Sequence, residues 1–281
     1  MTLDALARES GTFLMVAMDQ RESLRTMMRE HGHDPDDGRI ARFKTAVAQE
    51  LAPYASGFLI DRDHLDAVEP HVPHGLILAV DRLQQEPGAI VEDTGLDDDA
   101  QPTRGVAALK LLVIWRDDDR RRERVEMSRR FVELAESRGL LSVLEPVVRV
   151  PDRDREDAIV EAARELGAVR PSLYKCQVPF AGRGEPRDIT RRARAVDEAL
   201  DVPWVVLSQG VDPADFPAAV EASCKGGASG MLAGRAVWTS TLAADDPTAL
   251  LRERSVPRLQ ELAAIVDAHG RPWREAASRR R

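Results

Sequence analysis

Short apolar runs alternate with longer amphipathic stretches along almost the whole chain. Eight runs, at 13–18, 57–60, 76–80, 108–114, 140–144, 172–174, 204–207 and 230–233, read as strands. Short continuous apolar runs are what parallel strands buried on both faces require. Between them, 120–138 sets Val125, Phe131, Val132 and Leu134 among many charges, and 153–166 and 187–200 read the same way, as helices. The stretch 213–225 has Asp212 placed as an N-cap and Pro213 at the first helical position, where a missing N–H costs nothing. Residues 247–269 predict one long final helix carrying Leu250, Leu251, Leu259, Leu262, Ile265 and Val266.

Eight strands alternating with helices in 281 residues predict an α/β fold, a (β/α)8 TIM barrel, as a single domain over 1–281. A doubly wound open sheet is the alternative. That fold usually carries a glycine-rich phosphate loop after its first strand, and Met18-Asp19-Gln20-Arg21-Glu22 is no such loop. The polar, acidic, turn-rich segment 84–105 reads as a long loop within the domain. Arg279-Arg280-Arg281 closes a basic, frayed tail at about 275–281.

A chain 43% hydrophobic and 31% charged suits a soluble globular protein. A net charge of −8 with no segment that gathers the positive charges argues against nucleic acid as a partner. No apolar stretch reaches the roughly 20 residues of a membrane helix, so no membrane partner is expected. The opening MTLDALARES lacks a basic segment followed by an apolar core, so no signal peptide is expected. Cys176 and Cys224 belong to no CxxC pair, which suits reduced thiols and a cytoplasmic protein. The histidines, among them His31, His33, His64, His71 and His74, form no HExxH motif and have no cysteine partners, so neither a metal nor another cofactor is expected. A homo-oligomer is expected.

Against 36 arginines the chain keeps four lysines. An ammonium can lose its proton and attack a carbonyl, which a guanidinium cannot do. Lys175 closes the run Pro171-Ser172-Leu173-Tyr174, and Lys110 falls within the fourth strand, whereas Lys44 and Lys225 lie in helix-like stretches and are expected in solvent. In a barrel of this kind the carboxyl ends of the strands share one active site. Reading them off gives Asp19 and Gln20 after strand one, then Asp61 and Asp81, with Glu145, Lys175 and Ser208 ending strands five, six and seven, and Gly234 and Arg235 after strand eight.

Two lysines and a glutamate at one mouth suit Schiff-base chemistry. A neutral amine attacks a ketone, water leaves, and the iminium serves as an electron sink for C–C cleavage. Lys110 as a second cation would disfavour protonation of Lys175. Glu145 would shuttle protons; its bland alternative is a salt bridge with Lys110 or Arg149. For Lys175 the bland alternative is a strand-edge amine in water. Ser208-Gln209-Gly210 and Ala233-Gly234-Arg235 supply small residues, backbone N–H groups and the only arginine between Arg194 and Arg252, a combination suited to phosphate. Arg235 could instead cap a helix or pair with Asp212.

The segments VAMDQRESLR, ALKLLVIWR, LEPVVR, LYKCQVP, PWVVLSQGVD and GASGMLAGRAVW resemble the class I aldolase family of tagatose-1,6-bisphosphate aldolase and sulfofructosephosphate aldolase, from about Leu3 to about Asp267. ALKLLVIWR and LAGRAVW lean toward the sulfofructosephosphate branch. The resemblance implies a metal-independent aldehyde-lyase with no cofactor. Its substrate would be a phosphorylated ketose, 6-deoxy-6-sulfofructose 1-phosphate first and tagatose 1,6-bisphosphate second, cleaved to dihydroxyacetone phosphate and an aldehyde. It makes Lys175 the Schiff-base residue, Glu145 the acid/base and Lys110 the supporting cation. Asp19 and Gln20 would line the site; by position alone, Asp61 at a strand end joins them, and Arg21, directly after the Asp19-Gln20 pair, is the candidate contact to the distal anion, with solvent as its alternative. Ser208, Gln209, Gly210, Gly234 and Arg235 would hold a phosphate. Gln177, where relatives commonly carry an acid, and Gln209, where a second Ser is common, are departures that bear on the substrate. A non-catalytic sugar-phosphate-sensing barrel is the alternative of another class.

Overall fold

The computed structural model describes residues 1–99, 105–151 and 154–278. Eight parallel strands close into a barrel: β1 (Phe13–Met18), β2 (Gly57–Ile60), β3 (Leu76–Ala79), β6 (Val106–Trp115), β7 (Leu141–Val148), β8 (Leu173–Gln177), β9 (Trp204–Leu207) and β10 (Gly230–Ala233). Around the barrel they follow in chain order, and β10 pairs with β1 to close it. The two strands left over, β4 (Asp81–Gln84) and β5 (Asp93–Leu96), pair antiparallel as a hairpin above the barrel strands. The expected (β/α)8 architecture is therefore present. The long-loop reading of 84–105 is corrected at its first half, where the hairpin stands; residues 100–104 lie outside the described residues.

Helices fill the connections: α1 (Glu22–Glu30), α2 (Asp37–Leu51), α3 (Leu65–Val68), α4 (Arg121–Ser137), α5 (Arg155–Gly167), α6 (Pro186–Glu198), α7 (Phe216–Lys225) and α8 (Arg235–Trp238). After them come α9 (Thr248–Leu250), α10 (Val256–His269) and α11 (Trp273–Ser278). Helix α7 starts later than Asp212-Pro213 suggested. Asp212 instead accepts the Ala214 N–H at 2.8 Å in a turn, and the following Asp215-Phe216-Pro217 opens the helix. The long final helix is broken by one π-helical turn, Leu251–Ser255, just before Pro257. Proline offers no N–H and its ring crowds the carbonyl four residues back, so the helix widens there. Of the expected basic tail, 275–278 fall in or at the end of α11 and 279–281 lie outside the described residues; Arg153, the expected start of the fifth helix, does too.

The core has two parts. Inside the barrel, Phe13, Met15, Leu59, Ile77, Val143 and Leu232 pack in layers, and Leu3 and Leu6 plug the floor. Between barrel and helices, Trp115, Phe131, Trp204, Phe216 and Trp238 are fully buried, each large side chain contributing about 2–3 kcal/mol of hydrophobic stabilisation. Glycine closes the seam. A Cβ on Gly230 would stand 2.0 Å from the Phe13 carbonyl oxygen, and one on Gly234 2.1 Å from that of Ala17. Only glycine allows β10 and the turn after it to lie this close to β1. Both cysteines are buried, and burial pushes the Cys176 and Cys224 thiols up to about 12.

Lys44 is not in solvent. It lies on α2 with its side chain fully buried, paired with Asp61 at the end of β2. Asp61 also accepts from or shares a proton with His64 Nδ1 at 2.7 Å. Burial alone would raise the Asp61 carboxyl; the His64 hydrogen bond and the Lys44 charge reverse this and hold it below its ordinary value. Replacing Lys44 by Met would leave that carboxylate buried with half its partners gone. A loss of about 3–5 kcal/mol is expected, read as a lower denaturation midpoint in urea. An unchanged midpoint would mean that the pair contributes nothing.

Candidate active site

The strand period places the reactive side chains. Lys110, Leu112 and Ile114 on β6 point to one face, as do Glu145, Val147 and Arg149 along β7, and these residues line a cavity of about 330 Å³ at the barrel mouth. Glu145 and Lys175 were expected to end their strands; both sit inside them, because β7 runs on to Val148 and β8 to Gln177.

Lys110 lies at the centre of three carboxylates. Its Nζ is 2.8 Å from Asp19, 3.0 Å from Asp81 and 3.0 Å from Glu145 Oε2. The other oxygen of Glu145, Oε1, is 2.9 Å from Lys175 Nζ. One carboxylate thus bridges two ammonium groups whose side chains are only 3% and 4% exposed. A water-exposed, strand-edge Lys175 is excluded by this geometry. Glu145 is in ion pairs with both lysines, and the structure shows none to Arg149.

Burial by itself would lower the Lys110 pKa, but Asp19, Asp81 and Glu145 together raise it well above the ordinary lysine value. Burial would likewise raise Asp19; the charges of Lys110, Lys175 and Arg21 and the Lys110 hydrogen bond hold it well below the usual carboxylate range. Lys110 is therefore a firmly protonated cation. Three carboxylates answer its charge.

Asp81 completes this network and was undervalued from sequence. Besides Lys110 it accepts the Leu112 N–H at 3.2 Å, while Arg21 donates to its carbonyl at 2.9 Å and its carboxylate at 3.2 Å. It closes the apolar run 76–80 as Asp19 closes the run 13–18, and that placement was the signal for it. Asp61, by contrast, does not join the cavity; it is taken up by Lys44 and His64.

Gln20 lines the cavity, and its Oε1 is buried with no hydrogen-bond partner among the described residues. Gln209 and Arg235 line it as well. Ser208 is buried beneath them, its Oγ accepting the Ala236 N–H at 3.5 Å, and Gly210 turns with φ +80°. Gly234 sets Arg235 against the end of β1. Among the described residues no hydrogen bond or ion pair engages the Arg235 guanidinium, neither to Asp212 nor to a helix end. Burial lowers its pKa against the pull of Glu145 and Asp19. Gln177 faces inward two residues beyond Lys175 and accepts the Val148 N–H at 2.8 Å.

Among the described residues no group of three or more His, Cys, Asp or Glu side chains is placed to hold a metal ion, and no helix is long and apolar enough to cross a membrane. A family model described as DeoC/LacD family aldolase matches residues 13–240. The chain belongs to that family. This aldolase is accordingly a carbon–carbon lyase of the class I type. It is 25% identical to the tagatose 1,6-diphosphate aldolase of Streptococcus pneumoniae (strain ATCC BAA-255 / R6), over 97% of this chain and 96% of the relative. The tagatose 1,6-diphosphate aldolase of Listeria monocytogenes serotype 4a (strain HCC23) is 26% identical, over 96% and 92%. Among solved structures, the fructose-bisphosphate aldolase of Slackia heliotrinireducens DSM 20476 shares the fold with a TM-score of 0.65 at 17% identity, over 95% of this aldolase and 88% of that chain. An archaeal fructose-1,6-bisphosphate aldolase, solved with its catalytic Lys bound to the carbinolamine intermediate, gives 0.61 at 16%, over 94% and 98%.

Proposed function

We propose that this aldolase cleaves 6-deoxy-6-sulfofructose 1-phosphate to dihydroxyacetone phosphate and sulfolactaldehyde through an iminium on Lys175. The observation that supports the chemistry is the bridge Lys175–Glu145–Lys110. Glu145 takes a proton from Lys175, and the freed amine attacks the C2 carbonyl. The same acid protonates the carbinolamine hydroxyl, which leaves as water, and the iminium forms. Glu145, again a carboxylate, then removes the C4 hydroxyl proton. The C3–C4 bond breaks, its electron pair flows into the iminium to give an enamine, and the aldehyde departs. Protonation at C3 and hydrolysis release dihydroxyacetone phosphate and restore the lysine. Lys110, locked in charge, holds Glu145 and Asp19 in place. Gln20 Oε1 offers an acceptor to a substrate hydroxyl. A sensing barrel would have no use for an amine held against a proton acceptor.

The sulfonated ketose rests on ALKLLVIWR and LAGRAVW. Tagatose 1,6-bisphosphate is the second reading, favoured by the tagatose 1,6-diphosphate aldolase relatives. Steady-state turnover of the two substrates side by side decides between them; a higher kcat/KM on the bisphosphate overturns the first. For the phosphate end, Arg235 is the cavity-lining cation for which no partner stands among the described residues. Arg235→Ala is expected to raise KM by about 10²-fold for every ketose 1-phosphate, since charge-assisted hydrogen bonds in a water-poor site are the strong ones. An unchanged KM would remove Arg235 from the phosphate site.

A further inference from the structure

We propose that Arg149 is the specificity-determining cation for a second tetrahedral oxyanion, phosphate or sulfonate, carried on the aldehyde half of the ketose. This rests on the aldolase reading above. The first ground is position. Arg149 lies four residues beyond Glu145 on the same inward-facing line of β7, and its backbone N–H still pairs with the Trp115 carbonyl at 2.9 Å, so the strand ladder carries it outward. At about 3.3 Å per residue that sets its Cα roughly 13 Å further toward the mouth than Glu145. Around the barrel, Arg235 follows β10, Lys175 stands on β8 and Arg149 directly follows β7. The Schiff-base lysine is thus flanked by two arginines, and a ketose bound to it at C2 can direct C1 toward one and its far end toward the other.

The second ground is charge. Arg21, Lys110, Arg149 and Arg235 line the cavity with Asp19, Asp81 and Glu145, and Lys175 adds a fifth cation against three carboxylates. A surplus of two positive charges suits a ligand with two anionic groups. The surplus can be assigned. Lys110, Lys175 and Arg21 are each paired with a carboxylate, which leaves Arg235 and Arg149. Arg21 was the candidate from sequence for the distal contact, but two of its donors are committed to Asp81. Among the described residues Arg149 donates only to the Val91 carbonyl, a neutral acceptor in the hairpin turn. Burial, reinforced by the charge of Arg116, lowers its pKa, and the charge of Glu92 only partly offsets this. Ile90, Val91, Ile114 and Val147 supply apolar wall around it. A guanidinium in such surroundings gains more from an anion than one in water.

The test compares fructose 1-phosphate, which lacks a distal anion, with tagatose 1,6-bisphosphate and 6-deoxy-6-sulfofructose 1-phosphate, on wild-type protein, Arg149→Gln and Arg149→Lys. The preference for the doubly anionic substrates, as a ratio of kcat/KM to that for fructose 1-phosphate, is expected to fall about 10²-fold in Arg149→Gln. In Arg149→Lys, which keeps the charge and loses the fork, it should fall less. The more active of the two doubly anionic substrates on wild-type protein names sulfonate or phosphate as the native group. Borohydride trapping of dihydroxyacetone phosphate on each protein separates the two levels of the argument. No adduct on wild-type protein sinks the aldolase reading itself. An adduct on wild type and on Arg149→Gln, with the preference unchanged in that variant, sinks the role of Arg149.

Discussion

Lys175→Arg is expected to lower turnover by about 10⁵-fold or more, because the variant keeps the charge and loses the nucleophile. The fold should survive, since a guanidinium can still pair with Glu145, now 2.9 Å from the ammonium. With dihydroxyacetone phosphate and borohydride the wild-type protein should gain a stable mass on the peptide that contains Lys175, and the variant should gain none. The competing site is Lys110. Three carboxylates raise its pKa well above the ordinary value, so an unprotonated amine is rare there, whereas the only carboxylate within ion-pair distance of Lys175 among the described residues is Glu145. Label on Lys110 would overturn the assignment.

Glu145→Gln is the second large effect. The amide has nearly the same shape but cannot take a proton, and it no longer neutralises the two ammonium groups that Glu145 joins at 2.9 and 3.0 Å. Turnover should fall by about 10²–10⁴-fold, the usual range for a lost general acid/base, with a much smaller change in KM. Single-turnover measurement should show that iminium formation and C–C cleavage both slow, since one group serves both. A near-wild-type turnover number would return Glu145 to a purely structural ion pair.

The barrel was legible because buried parallel strands announce themselves as apolar runs; β1, β2, β9 and β10 begin and end where the runs do. The strands that carry the chemistry were read too short. Glu145-Pro146 and Lys175 look like stops in a local window, yet each charge is answered by a partner on another strand, so the strand continues through it. The same blindness misplaced Lys44, whose partner Asp61 is 17 residues away on another element. The hairpin went unseen because β4 and β5 bear Asp81, Arg82, Asp93 and Thr94; ion pairs such as Arg120–Asp93 at 2.6 Å tie it down beside the single buried Leu96 of β5. The structure brings Lys175, Glu145, Lys110, Asp19 and Arg235 together at one mouth, and each stood out in the sequence as a chemically distinctive residue at a strand end or inside one. Arg149 was one of 36 arginines, and only the partners of the others single it out.

The hidden thiols have a practical consequence. A thiol reacts as its thiolate, and both cysteines are enclosed with pKa values pushed up to about 12, so maleimide dyes should find the native chain silent at neutral pH. Ile90, 67% exposed at the tip of the hairpin and on the rim of the cavity, is then a place where one introduced cysteine would carry a fluorophore alone. Its emission would report, substrate by substrate, whether the hairpin shifts when the mouth fills.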